Sequence, residues 1–501
     1  MRGVANGNMS KLIDLFETTF EKNPDKIAIE YGDRKISCKN LQGEVRKWCK
    51  ELTDGSAELK ENTKVLLALD DDITFIFLWL ALWKINCIPV PMDGFTDSEE
   101  LIHAVDASSC NIIISTKDIN LDNLSKDSKT KFTKVNCNID NSITYIKTGY
   151  ENIEENPNDC ALLFYTSGTT GLPKCVCFSH DAMKENVLSL AEAIHLTSND
   201  VFFTPLSIML PATIASVFLP AFSVGSTLVM TKASFPGSII KNVFEKNVTV
   251  FYAVPYMYSL LCTAMSLRKS EYWKNVRLCF TSSAFLDKDI FDSFYEKTSI
   301  PIRSLYCSSE GGAISFNRSD DLELLRNSVG YPLSGVIIRI LNDTGEEVPP
   351  GVPGNIFVGG SHISFGYHNR ETLNKEVFKD NKVNTGDLGY MDKSGYIFLT
   401  GRASETINVS GFLVNPEEVE EAIKGYPQVK DVLVYGFKSM NTGECVGAKI
   451  ILKNDKDILD TDQLYEYLSK KLNHYKIPRH CEIVKELPQS RYGKKIRSRM
   501  G

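Results

Sequence analysis

Short apolar runs alternate with helical stretches along much of this chain, and that alternation constrains the fold more than any other feature. From residue 159 onward the apolar runs cover residues 161–165, 227–230, 248–253 and 278–281. Strands that alternate with helices form mainly parallel sheets with helices packed on their faces. The sequence therefore predicts an α/β fold built on mainly parallel sheets.

The regions on either side of this alternation carry their own signals. The N-terminal region predicts an amphipathic helix, a hairpin around Gly32-Asp33, a second helix, a strand, a buried helix and a further strand. These elements are expected, in that order, at residues 10–22, 28–37, 40–52, 64–69, 73–83 and 111–115. A polar stretch over residues 117–158 then interrupts the order. Residues 330–399 predict strands joined by Gly/Pro turns, and the tail from residue 403 predicts a small α+β domain.

Charge and hydropathy exclude several classes of protein. The 501 residues carry a net charge of −7, whereas broad binding to nucleic acids or anionic membranes needs a basic surface. The most apolar stretch has 11 residues before Lys84, and a bilayer requires about 20. No signal peptide is visible, and Met9 is a candidate natural start. We expect a cytoplasmic protein with no nucleic-acid or membrane partner.

The thirteen cysteines are scattered along the chain rather than spaced as a disulfide or zinc framework. No CxxC pattern occurs, and the two neighbouring cysteines, Cys175 and Cys177, are expected on one face of a strand. We therefore predict reduced cysteines that behave as small buried apolar residues.

The segment with the clearest chemical meaning is Leu-Leu-Phe-Tyr-Thr-Ser-Gly-Thr-Thr-Gly-Leu-Pro-Lys, residues 162–174. An apolar strand leads directly into a loop that contains two glycines and four hydroxyl residues and is closed by Lys174. Glycines let backbone N–H groups approach a ligand, and hydroxyls and an ammonium group add donors and charge, as a polyphosphate requires. The spacing of Gly168 and Gly171 differs from a Walker A loop. The simpler alternative is a polar surface turn.

In its ordered detail this segment resembles the phosphate loop of the adenylate-forming superfamily, which includes acyl- and aryl-CoA synthetases, adenylation domains of nonribosomal peptide synthetases and beetle luciferases. Other segments resemble further motifs of that superfamily, in the same order, and cover nearly all of the chain from Leu12. These segments are residues 306–310, 385–387, 401–402, 407–411, 416–420 and 487–494, with weaker likenesses at 36–41 and 366–370. The resemblance implies a large N-terminal domain (9–402) that includes a small β-barrel-like subdomain, followed by a small mobile C-terminal domain (403–501).

The resemblance also implies a reaction. In such enzymes a carboxylate attacks the α-phosphate of ATP to give acyl-AMP and pyrophosphate, and a thiol then displaces AMP. Glu310 is expected to ligate Mg²⁺, a hard cation that takes carboxylate oxygens beside phosphates; taken alone, it would be a solvated loop carboxylate. Thr166 is expected to contribute to catalysis with it. The residues assigned to ATP by resemblance are Thr166, Ser167, Gly168, Thr169, Thr170, Gly171, Lys174, Ser283, Ala284, Tyr306, Ser309, Glu310, Asp387, Arg402 and Lys494.

Three charged residues have individual roles in this scheme. The carboxylate of Asp387 suits the two ribose hydroxyls, and the alternative is an Asp that caps a turn. Arg402 would reach ribose or phosphate, and the alternative is a surface arginine. Lys494 would stand between the carboxylate and the α-phosphate in the first step. Because Lys495 and Arg497 are close by, a solvated basic tail is the alternative.

Members of this superfamily rotate the C-terminal domain between the two steps. Gly411 would then line the tunnel for the pantetheine thiol, because a glycine leaves room beside the acyl phosphate. The hinge falls at Ser404, where the family usually has Asp or Lys, and a small serine can absorb backbone rotation.

Three segments, residues 205–209, 252–255 and 282–286, are expected to line the acyl side of the site. The acyl-pocket residues are Ser207, Ile208, Tyr252, Ala253, Ser282 and Gly311. The aromatic-His pair that many acyl- and aryl-CoA synthetases place near position 208 is missing. No Asp occurs between residues 201 and 216, so a free α-amino acid is disfavoured, because its buried ammonium would lack a partner. An uncharged aliphatic or aromatic acid fits better.

The sequence leaves the thiol acceptor open between coenzyme A and a separate phosphopantetheinyl carrier protein. Because the chain ends seven residues after Lys494 with no carrier domain, we expect a freestanding enzyme. Two other interpretations remain: a nucleotide-binding regulatory protein that has lost turnover, and a luciferase-like oxidase that passes the adenylate to oxygen.

Overall fold

The structure, a computed structural model, divides into two compact units. It describes residues 11–55, 57–93, 98–117, 119, 132–137, 142–151, 159–166, 174–231, 235–265, 271–409, 412–439, 443–454, 458–489 and 495. The first unit runs to Ile337 and also contains Val358–Val383. The second unit comprises Ile338–Phe357 and the chain from Asn384 onward.

The strands and helices are numbered here in chain order. The strands are β1 (Ile27–Tyr31), β2 (Arg34–Ser37), β3 (Lys64–Ala68), β4 (Ile88–Pro91), β5 (Ile112–Ser115), β6 (Thr133–Asn136), β7 (Thr144–Lys147), β8 (Cys160–Thr166), β9 (Lys174–Ser179), β10 (Val201–Phe203), β11 (Thr227–Met230), β12 (Val250–Tyr252), β13 (Leu278–Thr281), β14 (Ile302–Ser308), β15 (Gly312–Phe316), β16 (Tyr331–Pro332), β17 (Ile337–Leu341), β18 (Gly354–Gly359), β19 (Gly366–Tyr367), β20 (Phe378–Lys379), β21 (Lys382–Met391), β22 (Ile397–Arg402), β23 (Ile407–Val409), β24 (Phe412–Val414), β25 (Val429–Ser439), β26 (Gly443–Leu452) and β27 (His480–Ile483). The helices are α1 (Leu12–Lys22), α2 (Cys38–Asp54), α3 (Asp72–Lys84), α4 (Ser98–Ser108), α5 (His180–Ala193), α6 (Pro211–Thr213), α7 (Leu219–Val224), α8 (Pro236–Glu245), α9 (Pro255–Ala264), α10 (Lys288–Thr298), α11 (Leu322–Asn327), α12 (Glu371–Val377), α13 (Pro416–Lys424) and α14 (Thr461–Ser469). A π-helical turn (Ile214–Phe218) joins α6 to α7, and 3-10 turns cover Ala403–Glu405 and His474–Lys476.

The largest sheet of the first unit is parallel at its centre. Its nine strands lie in the order β16-β15-β14-β13-β12-β10-β11-β1-β2. Every neighbouring pair from β14 to β1 is parallel, and β15, β16 and β2 join antiparallel at the edges. The predicted mainly parallel sheet is confirmed. In such sheets ligands bind beyond the carboxyl ends of the strands. Strands β10, β12, β13 and β14 are parallel neighbours, so their carboxyl ends lie at the same edge.

Two smaller sheets complete the first unit. One has the order β4-β3-β5-β7-β6, with β4, β3 and β5 parallel and with β7 and β6 antiparallel. The other is the antiparallel sheet β19-β9-β8. Strands β6 and β7 fall within residues 117–158, which we had expected only to interrupt the order. They form because Tyr145 and Ile146 are buried against the sheet, a contact that the polar composition of this stretch conceals.

Helix α3 lies at the centre of the first unit and is buried on every side. All residues from Ile73 to Trp83 except Thr74 are buried, and Trp79 packs edge-to-face on Trp83 and Phe218. The predicted buried helix is therefore confirmed. Within the described part of the chain, no helix is both long and apolar enough to cross a membrane.

The second unit contains the predicted α+β tail. Strands β24-β23-β26-β25 lie side by side, and β27 is parallel to β26. Helices α13 and α14 bury Val419, Ile423, Leu464 and Leu468 in the same apolar cluster as these strands. The expected order of strand, helix, two strands, helix and strand is present, with β24 as an addition. A further sheet has the order β17-β18-β21-β20, and β22 pairs antiparallel with β21.

The cysteines behave as predicted. All thirteen lie in the described part of the chain, and none is in a disulfide. Cys175 and Cys177 are both buried in the cluster on one side of β9, whereas Val176 and Phe178 are in the cluster on the other side. No group of three or more possible metal ligands of the His, Cys, Asp or Glu type occurs among the described residues.

Candidate active site

The loop between β14 and β15 presents Glu310, the expected metal ligand, at the end of the large sheet. The hydroxyl of Ser308 accepts a hydrogen bond from the Gly311 N–H at 2.8 Å, which closes the turn. Ser309 is exposed, Glu310 is half-buried, and Gly311 is buried. Tyr306 is buried two residues before this turn. The turn therefore directs one hydroxyl residue and one carboxylate outward from a fixed base.

Tyr367 connects Glu310 to the beginning of β9. Its hydroxyl donates a hydrogen bond to Oε1 of Glu310 at 2.6 Å. The ammonium of Lys174 lies 5.1 Å from the centre of the Tyr367 ring, within cation–π range. Burial, together with the charge and hydrogen bond of Glu310, raises the pKa of Tyr367, so its phenol is protonated and donates. In the sequence analysis Tyr367 appeared only within the weak family likeness at residues 366–370, and nothing in the spacing of the sequence indicated its contact with Glu310.

Strands β8 and β9 form a hairpin in which Thr166 pairs with Lys174. The predicted phosphate loop therefore connects two antiparallel strands. Ser167, Gly168, Thr169, Thr170 and Gly171 lie outside the described residues, as does the side chain of Thr166. Of the predicted phosphate ligands, the structure describes the side chain of Lys174.

Asn186 on α5 fixes the start of β15, a role that the sequence analysis missed. Its amide oxygen accepts a hydrogen bond from the Ala313 N–H at 2.7 Å, and its amide nitrogen donates to the carbonyl of His362 at 2.5 Å. Gly312 adopts φ +65°, and a Cβ there would overlap the Asn186 amide. The glycine after Gly311 is thus required by both conformation and space.

The predicted adenine and acyl residues lie at the carboxyl ends of β12 and β13. The hydroxyls of Tyr252 and Ser282 are hydrogen-bonded at 2.6 Å, and the Ser282 and Ser283 hydroxyls are 3.3 Å apart. Tyr252, Ala253 and Ser282 are buried, whereas Ser283 and Ala284 are exposed. Ser283 has φ +72°, in the left-handed region that residues other than glycine adopt uncommonly. The structure thus brings together five of the predicted residues at one edge of the sheet.

The segment that carries Ser207 and Ile208 meets a carboxylate that the sequence analysis did not find. Ile208 is fully buried, and its N–H donates to Oδ1 of Asp72 at 3.4 Å. Asp72 begins α3, 136 residues earlier in the chain. The sequence of residues 201–216 alone therefore gives no sign of this contact with Asp72.

In the second unit, Asp387 and Arg402 lie opposite each other on β21 and β22. Arg402 Nε is 2.9 Å from Oδ1 of Asp387, and the Asp387 side chain is only 7% exposed. The Asp387 N–H donates to the Thr385 hydroxyl, which in turn donates to the Ile356 carbonyl. The motif residue Thr385 therefore holds the backbone beneath the carboxylate. The two residues that were predicted to bind ribose and phosphate form an ion pair.

The remaining predicted residues belong to the chain that follows β22. Ser404 is exposed in the 3-10 turn after β22. Gly411 and Lys494 lie outside the described residues. Lys495 donates to Oδ1 of Asp431 at 2.7 Å and to the Val432 carbonyl at 2.6 Å, and its backbone forms a bridge with Gln489. The two ends of the segment that contains Lys494 are thus held together.

The carboxylate of Glu310 suits magnesium as a ligand. The carboxylate offers hard oxygen atoms, and the Tyr367 hydrogen bond occupies a position on only one of them. Mg²⁺ is commonly held by one or two carboxylates together with substrate phosphates. The donor chemistry therefore fits a magnesium–nucleotide complex.

Comparison with known proteins gives consistent results over most of the chain. The model of the AMP-binding enzyme family matches residues 16–368, and the model of the AMP-binding enzyme C-terminal domain matches residues 418–494. The chain is 28% identical to a feruloyl-CoA synthase from Amycolatopsis sp over 350 residues, which cover 69% of this chain and 70% of the relative. It is 24% identical to an oxalate–CoA ligase from Arabidopsis thaliana over 499 residues, which cover 96% of each chain.

A solved structure shows the same fold. ATP-bound MatB from Rhodopseudomonas palustris matches with a TM-score of 0.83 at 23% identity, over 97% of each chain. The predicted α/β class with a separate C-terminal domain is confirmed. With the family models spanning both units, the chain is an acid–thiol ligase that belongs to the AMP-binding enzyme family, within the adenylate-forming superfamily.

Proposed function

We propose specific roles for the residues of this acid–thiol ligase. The enzyme adenylates a carboxylic acid with ATP, releasing pyrophosphate, and transfers the acyl group from acyl-AMP to the thiol of coenzyme A, releasing AMP. The observation that carries the assignment of roles is the contact series Lys174–Tyr367–Glu310, which joins the predicted phosphate hairpin to the predicted metal ligand. The relatives support a ligase rather than a protein that binds nucleotide without turnover.

The first unit would hold the triphosphate. Lys174 and the hydroxyl and glycine residues from Thr166 to Gly171 would bind the β- and γ-phosphates, and Glu310 would ligate Mg²⁺. Bound magnesium would neutralise charge on the phosphate oxygens. Tyr306 and Ser309 would flank the nucleotide, and the exposed Ser283 and Ala284 would line the adenine side.

The second unit would supply the remaining contacts. Asp387 would accept hydrogen bonds from the ribose hydroxyls, and Arg402 would orient that carboxylate through their ion pair. The Lys494 ammonium would offset negative charge on both reactants as the carboxylate approaches the α-phosphate. We place the boundary of the mobile domain between residues 402 and 403, with the hinge at Ser404 and the thiol tunnel at Gly411.

For the acid, we propose an uncharged aliphatic or aromatic carboxylic acid. Buried Ile208, Tyr252 and Ala253 give the expected pocket an apolar character. Gly311, where a Cβ would lie 2.9 Å from the Ser308 hydroxyl, would adjoin the pocket through its backbone. The Asp72 carboxylate accepts a hydrogen bond from the Ile208 N–H and so helps to hold the backbone of this segment. The relatives named above act on feruloyl and oxalate groups, which are an aromatic acid and a diacid.

A carrier protein as an additional acceptor, and a cytoplasmic location, are further proposals. The thirteen cysteines support the second, because no disulfide is present and nine of them are buried. Both acceptors offer the same phosphopantetheine thiol, so they differ only in the surface that the enzyme must recognise.

One assay tests the first step and identifies the acid at once. Exchange of labelled pyrophosphate into ATP is measured across a library of carboxylic acids. We expect exchange that depends on an apolar acid and on Mg²⁺. Exchange with α-amino acids alone would overturn the proposed acid class, and no exchange with any acid despite ATP binding would overturn the residue roles. Addition of coenzyme A, or of a carrier protein that bears phosphopantetheine with a free thiol, then identifies the acceptor by the thioester formed.

A further inference from the structure

We propose that Tyr367 is a positioning residue that holds the Glu310 carboxylate ready for the magnesium–nucleotide complex. This inference rests on the proposed role of Glu310. The hydroxyl of Tyr367 donates to Oε1 of Glu310 at 2.6 Å, and Tyr367 is only 6% exposed. A hydrogen bond from a neutral donor to a carboxylate is among the stronger protein hydrogen bonds, particularly where water is excluded.

The segment that carries Tyr367 holds Glu310 at two points. The Ser364 N–H donates to the Glu310 carbonyl at 2.9 Å, and the Tyr367 hydroxyl holds the carboxylate. Backbone and side chain of Glu310 are therefore fixed by residues only three positions apart. Because Glu310 lies in a loop, its side chain would otherwise sample several rotamers, and metal binding would have to order it.

Tyr367 is itself held rigidly. The Asn374 side chain accepts a hydrogen bond from the Tyr367 N–H at 2.7 Å and donates to the Tyr367 carbonyl at 2.9 Å. Tyr367 also pairs with Val176 on β9, and its ring packs edge-to-face on Phe378. The position of the hydroxyl is thus set by a sheet, a helix and a ring contact.

The ring of Tyr367 makes a contact that does not depend on its hydroxyl. Lys174, two residues before Val176 on β9, places its ammonium 5.1 Å from the ring centre. Replacement by phenylalanine keeps the ring, and hence the contacts with Lys174 and Phe378, and removes only the donor to Glu310. Tyr367→Phe therefore isolates the positioning role.

The test is the magnesium dependence of pyrophosphate exchange at saturating ATP and acid. Tyr367→Phe should raise the half-saturating Mg²⁺ concentration about tenfold, since removal of a residue that orients a metal ligand typically weakens metal binding by 10- to 100-fold. The kcat at saturating Mg²⁺ should stay close to that of the wild type. Mn²⁺ binding in the presence of a non-hydrolysable ATP analogue, followed by electron paramagnetic resonance, should weaken by a similar factor without any turnover.

A matched control and an independent variant make the test specific. Tyr145 is also a buried tyrosine whose hydroxyl lies near a glutamate, Glu51 at 3.5 Å, away from this loop. Tyr145→Phe should leave the magnesium dependence unchanged. Asn374→Ala loosens the Tyr367 backbone without removing its hydroxyl, and we expect a smaller shift in the same direction, which also tests the inference if Tyr367→Phe folds poorly.

The outcomes separate this inference from the proposed function. If Glu310→Gln abolishes the magnesium response while Tyr367→Phe keeps that of the wild type, the positioning role is wrong and the metal role of Glu310 stands. If Glu310→Gln responds to Mg²⁺ as the wild type does, the metal role fails and the inference fails with it. A uniform loss of kcat in Tyr367→Phe without a shift in Mg²⁺ dependence would assign the tyrosine a structural role instead.

Discussion

At the scale of single residues, the ion pair of Asp387 and Arg402 bears on the proposed contact with the ribose. Arg402 Nε lies 2.9 Å from Oδ1 of Asp387. An ionised carboxylate has about four acceptor sites on its two oxygens, which suits an arginine and the vicinal hydroxyls of a ribose. We therefore propose that Arg402 orients the Asp387 carboxylate for the ribose.

Asp387→Asn should raise the KM for ATP with a smaller effect on kcat. An amide offers one acceptor oxygen instead of two and loses the charge, and a hydrogen bond to a charged group contributes about 1.5–3 kcal/mol, equivalent to roughly 10- to 100-fold in affinity. Steady-state exchange kinetics measure the change. Asp392→Asn is the control, because Asp392 accepts N–H bonds from Ser394 and Tyr396 in a nearby turn. Equal effects of both substitutions on KM would remove the ribose assignment.

The neighbouring lysines near the C-terminus can be distinguished in the same way. The ammonium of Lys495 is held by Asp431 and by the Val432 carbonyl, so it is already partnered within the second unit. We expect Lys494→Ala to reduce adenylation at least about 100-fold, as loss of a charged group that acts in the transition state does. Thioester formation from presynthesised acyl-AMP should be largely retained.

Lys495→Ala provides the comparison. It should lower thermal stability slightly, because a partly exposed ion pair contributes about 1 kcal/mol or less, and it should reduce adenylation far less than Lys494→Ala does. Adenylation is followed by pyrophosphate exchange, and the second step by thioester release. If Lys495→Ala abolished exchange and Lys494→Ala did not, the catalytic lysine would have been misassigned by one position.

At the scale of elements, Asn186 ties α5 to β15 and to the segment at His362. Its side chain accepts from the Ala313 N–H and donates to the carbonyls of His362 and Ala182, and it occupies the space that a Cβ on Gly312 would need. Helix α5 thereby fixes the base of the turn that presents Glu310. Helix α5, which the sequence analysis did not single out, is thus part of the architecture of the candidate site.

A double-mutant cycle tests this coupling. Gly312→Ala should destabilise the fold through its positive φ and its overlap with Asn186, by about 1–3 kcal/mol. Asn186→Ala should also destabilise it, by about 2–4 kcal/mol, because two buried backbone groups lose their partners. The double variant should be more stable than the sum predicts, since the overlap is relieved. Additive changes in the free energy of unfolding, measured with urea, would contradict the coupling.

Sequence patterns predicted elements well where local signals determine them. The hairpin around Gly32, the buried α3 and the order of elements from residue 403 follow from turn residues, an unbroken apolar run and helical periodicity. Strands β6 and β7 were missed because the burial of Tyr145 and Ile146 against distant elements, rather than local propensity, stabilises them. The short helix α12 was missed because it has no fully buried residue, and only Leu373 and Val377 pack in part against the core. The site residues that the motifs indicate stay a prediction, and the motifs gave no indication of the contacts that the described ones make.

At the scale of the whole molecule, the unpredicted features are contacts between distant parts of the chain. Tyr367 and Glu310 are 57 residues apart, and Asp72 and Ile208 are 136 apart. No periodicity or spacing encodes such pairs. They arise because sheet order and helix packing bring the ends of separate strands to one edge, which is a property of topology.

The same packing buries His362 away from hydrogen-bond partners among the described residues, and we expect this to make the free energy of unfolding depend on pH. His362 is 1% exposed, neither ring nitrogen has a hydrogen-bond partner among the described residues, and burial lowers its pKa from 6.5 to about 4. The unfolded chain therefore binds a proton at a higher pH than the folded chain does. The stabilisation is complete above pH 6.5 and is lost as the pH falls toward 4.

His362→Phe should remove this contribution to the pH dependence. Between pH 7 and pH 4, the wild type should lose about 3 kcal/mol more unfolding free energy than the variant, since each pKa unit corresponds to about 1.4 kcal/mol. Urea unfolding at a series of pH values measures the difference. His195→Asn, at an exposed histidine of the same unit, should keep the slope of the wild type. Parallel pH profiles for wild type and His362→Phe would mean that the buried imidazole is protonated in the folded state, and that its burial does not limit stability in acid.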